Sequence, residues 1–297
     1  GMIRKTKELS KNVIFAGGVW TWNGLSPNYA HSMVSTHAAL TMCHEEGIND
    51  VFACVWGDDG AECSVYTALL GMQLYAEYCY LSQVEDSRLR EMFKACAGYD
   101  MDAFLSLDLD VSMEGLDMLR PSTAKQVLYQ DILQGLFDKN FEQVDLRAHY
   151  KKVQEGLQKL EKQNDLEYLF DLYRQYAKVL ELKSDLGIRL TDSYRKNDRE
   201  AMKKIANEIE ALVPEIEKLQ QHLADVWYRN NKPFNFNSID YRFGGLIARA
   251  KRAICRINDY LSGKVQNLEE LEEERLYYNG ESTPYIAIYS SNSIMFV

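Results

Sequence analysis

The chain has 297 residues, of which 46% are hydrophobic and 26% charged, with only 5 prolines and 17 glycines. At roughly 150 residues per domain this describes one large or two medium globular domains and excludes a wholly disordered chain. Its 34 basic and 44 acidic side chains leave a net charge of −10, which argues against a nucleic-acid partner and against an anionic membrane surface, because both depend on clustered Lys and Arg.

No apolar run approaches the ~20 residues that a membrane-spanning helix needs. The start, GMIRKTKELSK, lacks the apolar core of a signal peptide. A cytoplasmic protein is therefore expected, with Gly1 ahead of Met2 read as a remnant of tag cleavage. The six cysteines, at 43, 54, 63, 79, 96 and 255, form no C-x-x-C pair and no zinc spacing with histidine. Buried free thiols in a reducing compartment are the expectation, with no metal and no cofactor.

In chain order, Asn12 to Trp20 is an apolar, β-rich run followed by a turn-forming loop from Asn23 to Asn28. Ser32 to Glu46 reads as a helix stopped by Gly47, a residue suited to the left-handed position after a helix end. Asp50 to Trp56 is a second short apolar run, closed by Gly57-Asp58-Asp59-Gly60, and Ser64 to Leu81 is a helix apolar nearly all round. Strand and helix alternating in this way predict parallel β/α units with strands buried on both faces.

The composition changes near residue 80. Residues 1–80 carry 4 basic and 8 acidic side chains, leaving 30 and 36 for the remainder. Charge density thus doubles, as solvated helices require. Helices are predicted over Asp86–Ala97, from Pro121 with Ser122 or Thr123 as cap through Phe137, and over Leu146–Gln163. A broad apolar stripe follows over Asp165–Lys196 (Leu166, Leu169, Phe170, Tyr173, Ala177, Leu180, Leu186) and a second over Asp198–Asn230 (Ile205, Ile209, Leu212, Ile216, Leu219, Leu223, Trp227). Pro214 predicts a kink or break in the second. Ile239–Ser262 and Asn267–Tyr278 complete the helices, and Tyr285 to Tyr289 reads as a terminal strand. The fold class is mainly α: an antiparallel helical bundle over residues 85–297, preceded over residues 2–84 by two β/α units resembling the end of a (β/α)8 barrel.

Chemistry concentrates at the carboxyl ends of the two predicted strands, where parallel α/β folds bind ligands. Trp20-Thr21-Trp22 places two indoles on one side of an extended chain. Trp56-Gly57-Asp58-Asp59-Gly60-Ala61-Glu62 adds a third indole and three carboxylates. Indoles cover the C–H face of a sugar while carboxylates accept bonds from its hydroxyls. The alternative is that the indoles belong to the core and that Asp58 and Asp59 cap a turn. The histidines at 31, 37, 44, 149 and 222 are scattered and give no Ser-His-Asp or Cys-His set. Gly17-Gly18 lacks the rest of a phosphate-loop fingerprint.

Three segments, Phe15 to Trp22, Val55 to Ser64, and Asn231-Lys232-Pro233-Phe234 with Asp240 to Leu246, resemble the C-terminal portion of bacterial glycoside hydrolase family 20 enzymes. These are β-N-acetylhexosaminidases with a (β/α)8 catalytic barrel and, in this subgroup, an added C-terminal helical domain. The resemblance spans essentially the whole chain and implies that the two units are the seventh and eighth of the barrel. It further implies that Trp56 lines an N-acetylhexosamine pocket, that Asp58 binds outer hydroxyls, and that either Trp20 or Trp22 walls the acetamido group. Asp59 and Glu62 are secondary candidates.

Family members cleave by substrate assistance, with an Asp-Glu pair after the fourth strand orienting the acetamido group and protonating the leaving oxygen. Asp-Glu does not occur in such a context here. Glu45-Glu46 and Glu269-Glu270 fall on helical, solvated faces. No catalytic residue is therefore assigned, and the chain alone is expected to be inactive, through a truncated gene or a deliberate truncation. The rival expectation is a non-catalytic module that binds glycans or proteins. Two strands without neighbours leave open edges, so the helical domain or a second copy in a homodimer is expected to cover them.

Overall fold

Short apolar runs ending in glycine or turn chemistry set the first part of the fold. The computed structural model describes residues 2–22, 24–110 and 123–282 and divides into two compact units, residues 1–111 and 112–297. The predicted cap Ser122 and the predicted strand Tyr285–Tyr289 lie outside the described residues. Within them no helix is long and apolar enough to cross a membrane.

The first unit begins with a helix that the sequence did not announce, α1 (Met2–Leu9), tied down by Arg4 Nε on Glu46 Oε1 at 2.5 Å and by Lys7 on the same carboxylate. Strand β1 (Phe15–Gly18), helix α2 (Tyr29–Glu45) and strand β2 (Val51–Cys54) follow. The two strands pair in parallel, Phe15 opposite Val51 through Gly18 opposite Cys54. Each is much shorter than the apolar run that announced it. They are also covered on one face, not two: Ala16 and Phe52 are exposed, whereas α2 and α3 (Leu69–Tyr78) pack on the sheet. Helix α2 starts three residues earlier than predicted because Asn28 caps it, its side chain accepting from the His31 amide at 2.9 Å. Gly47, at φ +66°, takes the left-handed position after the helix, as its sequence context requires.

Beyond β2, a 3-10 turn (Asp58–Gly60) and a second (Val65–Ala68) lead into α3, so the predicted helix Ser64–Leu81 is α-helical only over its middle. Its first turn is drawn tight by Tyr29, whose hydroxyl donates to the Thr67 carbonyl at 2.6 Å. Gly71 lets α3 approach Val19 more closely than a methyl group would allow. Helix α4 (Asp86–Ala97) has the predicted bounds, ending on Gly98 at φ +82°. Helix α5 (Met101–Leu105) is capped by Asp100, which accepts from the amides of Asp102 and Ala103. The first unit thus extends past residue 84, since α4 packs on α3.

In the second unit, α6 (Thr123–Tyr129), α7 (Asp138–Phe141) and α8 (Leu146–Lys159) precede the long helices α9 (Glu167–Lys183), α10 (Leu186–Arg195), α11 (Arg199–Asn230) and α12 (Phe236–Leu261). Helices α8, α9, α11 and α12 pack in sequence, α8 on α9, α9 on α11 and α11 on α12. Every member of the two predicted apolar stripes is buried. That is the expected behaviour of apolar residues repeating at the helical period.

Four helix boundaries depart from the reading. The helix predicted through Phe137 stops at Tyr129 because the Asp131 carboxylate accepts from the amides of Leu133 and Gln134, which competes with helical bonding. The stretch predicted as one helix over Asp165–Lys196 breaks at Ser184 and Asp185, where buried Lys183 turns inward. Conversely, α11 runs unbroken through Pro214. Pro214 is exposed and removes one hydrogen bond, while its neighbours Leu212, Val213 and Ile216 are held in the core. The predicted helix Asn267–Tyr278 shrinks to α13 (Glu269–Glu272) plus a 3-10 turn at Tyr278–Gly280. Buried thiols hold for Cys43 and Cys63, but Cys79, Cys96 and Cys255 are exposed.

Candidate functional site

The backbone at the end of β1 positions the first indole. Val19 is buried and donates to the Cys54 carbonyl at 3.0 Å, prolonging the strand pairing by one residue. Trp20 then adopts φ +53°, a left-handed conformation that costs a non-glycine residue about 1–2 kcal/mol. Its carbonyl accepts from the Asn28 amide at 3.0 Å, so the strain is held by the cap of α2. The chain is therefore not extended at Trp20-Thr21-Trp22. The two indoles still meet, with ring centres 4.8 Å apart, because the chain turns there.

Trp22 lies between its neighbours, its ring centre 4.7 Å from that of Trp56 at an interplanar angle of 71°. Gly18 makes this possible: a methyl group there would overlap the Trp22 indole and touch Trp56. Trp56 remains 47% exposed and supplies the open aromatic surface of the cluster. On the other side, the His31 ring stacks edge-on against Trp20 at 3.9 Å.

The carboxylates diverge. Asp58 begins the 3-10 turn and faces solvent, whereas Glu62 is only 3% exposed. The side chain of Asp59 lies outside the described residues. The chain reverses between them through Gly60 at φ +95° and Ala61 at φ +50°. Of these two carboxylates, Asp58 is the one open to solvent.

Sequence reasoning overlooked the support beneath this cluster. Asp108 is 4% exposed and accepts from the Ala30 amide in the first turn of α2 at 3.0 Å. Ser26 donates to the Leu107 carbonyl at 2.9 Å and accepts from the Leu109 amide at 3.0 Å. Burial pushes the Asp108 carboxyl up to about 7, against the pull of the Ala30 amide and with help from the nearby charge of Asp110. Ser26 and Asp108 are far apart in sequence, and neither belongs to a motif. The only local signal was the Asn28 cap, with His31 three residues on.

The family model of the Glycoside Hydrolase 20C C-terminal domain matches residues 102–288. The chain belongs to this family. The match covers the whole described helical bundle and begins inside α5, upstream of the division between the two compact units. The family 20C domain as it stands here therefore includes Leu107, Asp108 and Leu109, the residues that grip the loop behind the tryptophans. None of the curated proteins matches the chain.

Proposed function

We propose that Trp20, Trp22 and Trp56 form the aromatic wall of a subsite for a terminal N-acetylhexosamine in a family 20 glycoside hydrolase, with Asp58 accepting from the sugar's outer hydroxyls. The observation that supports it most is the contact series of the three indoles at the carboxyl ends of two parallel strands, where such folds gather their ligand groups. The family membership gives the chemistry its class. Trp56 offers a half-exposed indole for the C–H face of a pyranose, and Trp20 and Trp22 carry the apolar surface behind it.

Hydrolysis by a retaining, substrate-assisted route needs an acid beside a group that orients the acetamide. Asp58 in solvent and Glu62 in the interior do not make such a pair. The chain by itself is a binding platform, and cleavage belongs to a catalytic pair that its sequence does not contain.

Titration of N-acetylglucosamine while following tryptophan fluorescence tests the binding claim, with Trp56→Ala as control. A saturable change in the millimolar range that the variant loses is expected; no response at any millimolar concentration overturns it and favours a protein-contact module. An aryl β-N-acetylglucosaminide tests the second claim. Turnover that vanishes in Asp58→Asn would refute the lack of catalysis.

A further inference from the structure

The tryptophan wall rests on a loop, and the loop rests on a segment nearly eighty residues away. Asn28 donates to the Trp20 carbonyl at 3.0 Å and accepts from the His31 amide at 2.9 Å. His31 stacks on Trp20, Trp20 on Trp22, and Trp22 on Trp56. The two residues flanking Asn28 in this arrangement, Ser26 and Ala30, are the ones bound by Leu107, Asp108 and Leu109. Five polar contacts and three ring contacts thus connect residue 108 to residue 56 without a gap.

Each link is of a kind that fixes direction. The Asp108 carboxylate receives an amide from the first turn of α2, where helix amides converge and favour an anionic or strongly accepting group. Ser26 both donates and accepts, so the loop cannot slide along the 107–109 backbone without losing both bonds. The loop in turn stabilises the left-handed backbone at Trp20, a conformation that persists only where its surroundings hold it.

We propose that Asp108 and Ser26 are positioning residues for the aromatic wall: the first residues of the family 20C domain clip the loop that follows β1 and so set the angle at which Trp20 and Trp22 meet Trp56. This rests on the sugar-subsite reading only for its consequence in binding. The clip itself concerns the indoles and is measurable without sugar.

The experiment compares the full chain with Asp108→Ala, Asp108→Asn and Ser26→Ala. The readouts are far-ultraviolet circular dichroism for helix content, the indole couplet near the aromatic bands for the mutual angle of Trp20 and Trp22, and N-acetylglucosamine affinity. With helix content unchanged, Asp108→Ala and Ser26→Ala lose most of the couplet and weaken sugar binding about fivefold to tenfold, the effect of losing one or two hydrogen bonds. Asp108→Asn, whose amide oxygen still accepts from Ala30, recovers most of both signals.

Folded Asp108→Ala and Ser26→Ala proteins with an unaltered couplet overturn the proposal. If Asp108→Ala does not fold, Ser26→Ala decides alone. If the couplet collapses in the variants while the parent chain binds no sugar, the clip stands and the subsite reading falls.

Discussion

The ammonium of Lys183 donates to the carbonyl oxygen of Val127 at 2.8 Å. It donates also to the carbonyl of Gln130 at 2.6 Å, so one buried cation satisfies the open end of α6 and terminates α9 in the same place. Burial lowers its ammonium to about 8, against the opposing pull of Asp131 and Asp138. Lys183→Met leaves two buried carbonyls unpaired and should cost about 3 kcal/mol in urea unfolding. A lowered lysine pKa means that the unfolded chain binds the extra proton between about pH 8 and 10, so this residue makes stability rise with pH over that window. The stability advantage of wild type over Lys183→Met should therefore widen from pH 7.5 to 10, because methionine does not titrate; a gap that stays constant or narrows would contradict the lowered lysine.

Asp108 and Asp138 act with the opposite sign. Burial pushes their carboxyls up, to about 7 and about 6 respectively. Each binds more protons folded than unfolded above the ordinary carboxylate range, so its contribution to stability is full at low pH and is lost as pH rises. Between pH 6 and 7 the loss comes mainly from Asp108. Asp108→Asn should flatten that part of the curve of unfolding free energy against pH. An unchanged slope would contradict the burial-driven shift.

Gly18 lies beneath the Trp22 indole with no room for a methyl group. Gly18→Ala is expected to push that ring off Trp56, with a cost of about 1–3 kcal/mol for the overpacked contact. Near-ultraviolet circular dichroism should lose indole intensity while helix content is retained. Gly244→Ala, at a site with open space on α12, should leave the indole signal untouched.

Pro214 offers a gain in stability. It sits exposed in the interior of α11, where an alanine restores one backbone hydrogen bond and improves propensity. Pro214→Ala should stabilise the second unit by about 2 kcal/mol, read as a higher urea midpoint. A lower midpoint would mean that the proline ring makes a contact the helix needs.

We propose that a second copy of the chain covers the exposed face of the two-stranded sheet, where Ile14 and Phe52 are 57% and 58% exposed. Sedimentation equilibrium should show a dimer that Phe52→Asp shifts to monomer. A monomer at tens of micromolar would rule this out.

Much of this structure was legible because it repeats. The stripes on α9 and α11 recur at the helical period, so burial follows from sequence position alone, and Gly47 marks a helix end through its own backbone freedom. What could not be read depends on partners remote in sequence. Lys183 ends α9 because Val127 and Gln130 are nearby in space, and Asp131 ends α6 through its own side chain. The same holds at the site. Trp20, Trp22 and Trp56 were legible as a group, but the period-two reason for joining Trp20 to Trp22 was wrong: a left-handed residue brings the rings together. Asp108 had no local signature at all.

The parallel register of Phe15 with Val51 has a kinetic consequence. That pairing closes a long loop across the whole of α2, whereas the α11–α12 hairpin forms from neighbours in sequence. Chains pay loop-closure entropy before non-local contacts reward it, so local hairpins form first. Helix signal should therefore return early in refolding, and the indole couplet should return last, in a slower phase. The aromatic surface would then be the final part of the molecule to acquire its shape, and the part most often caught incomplete.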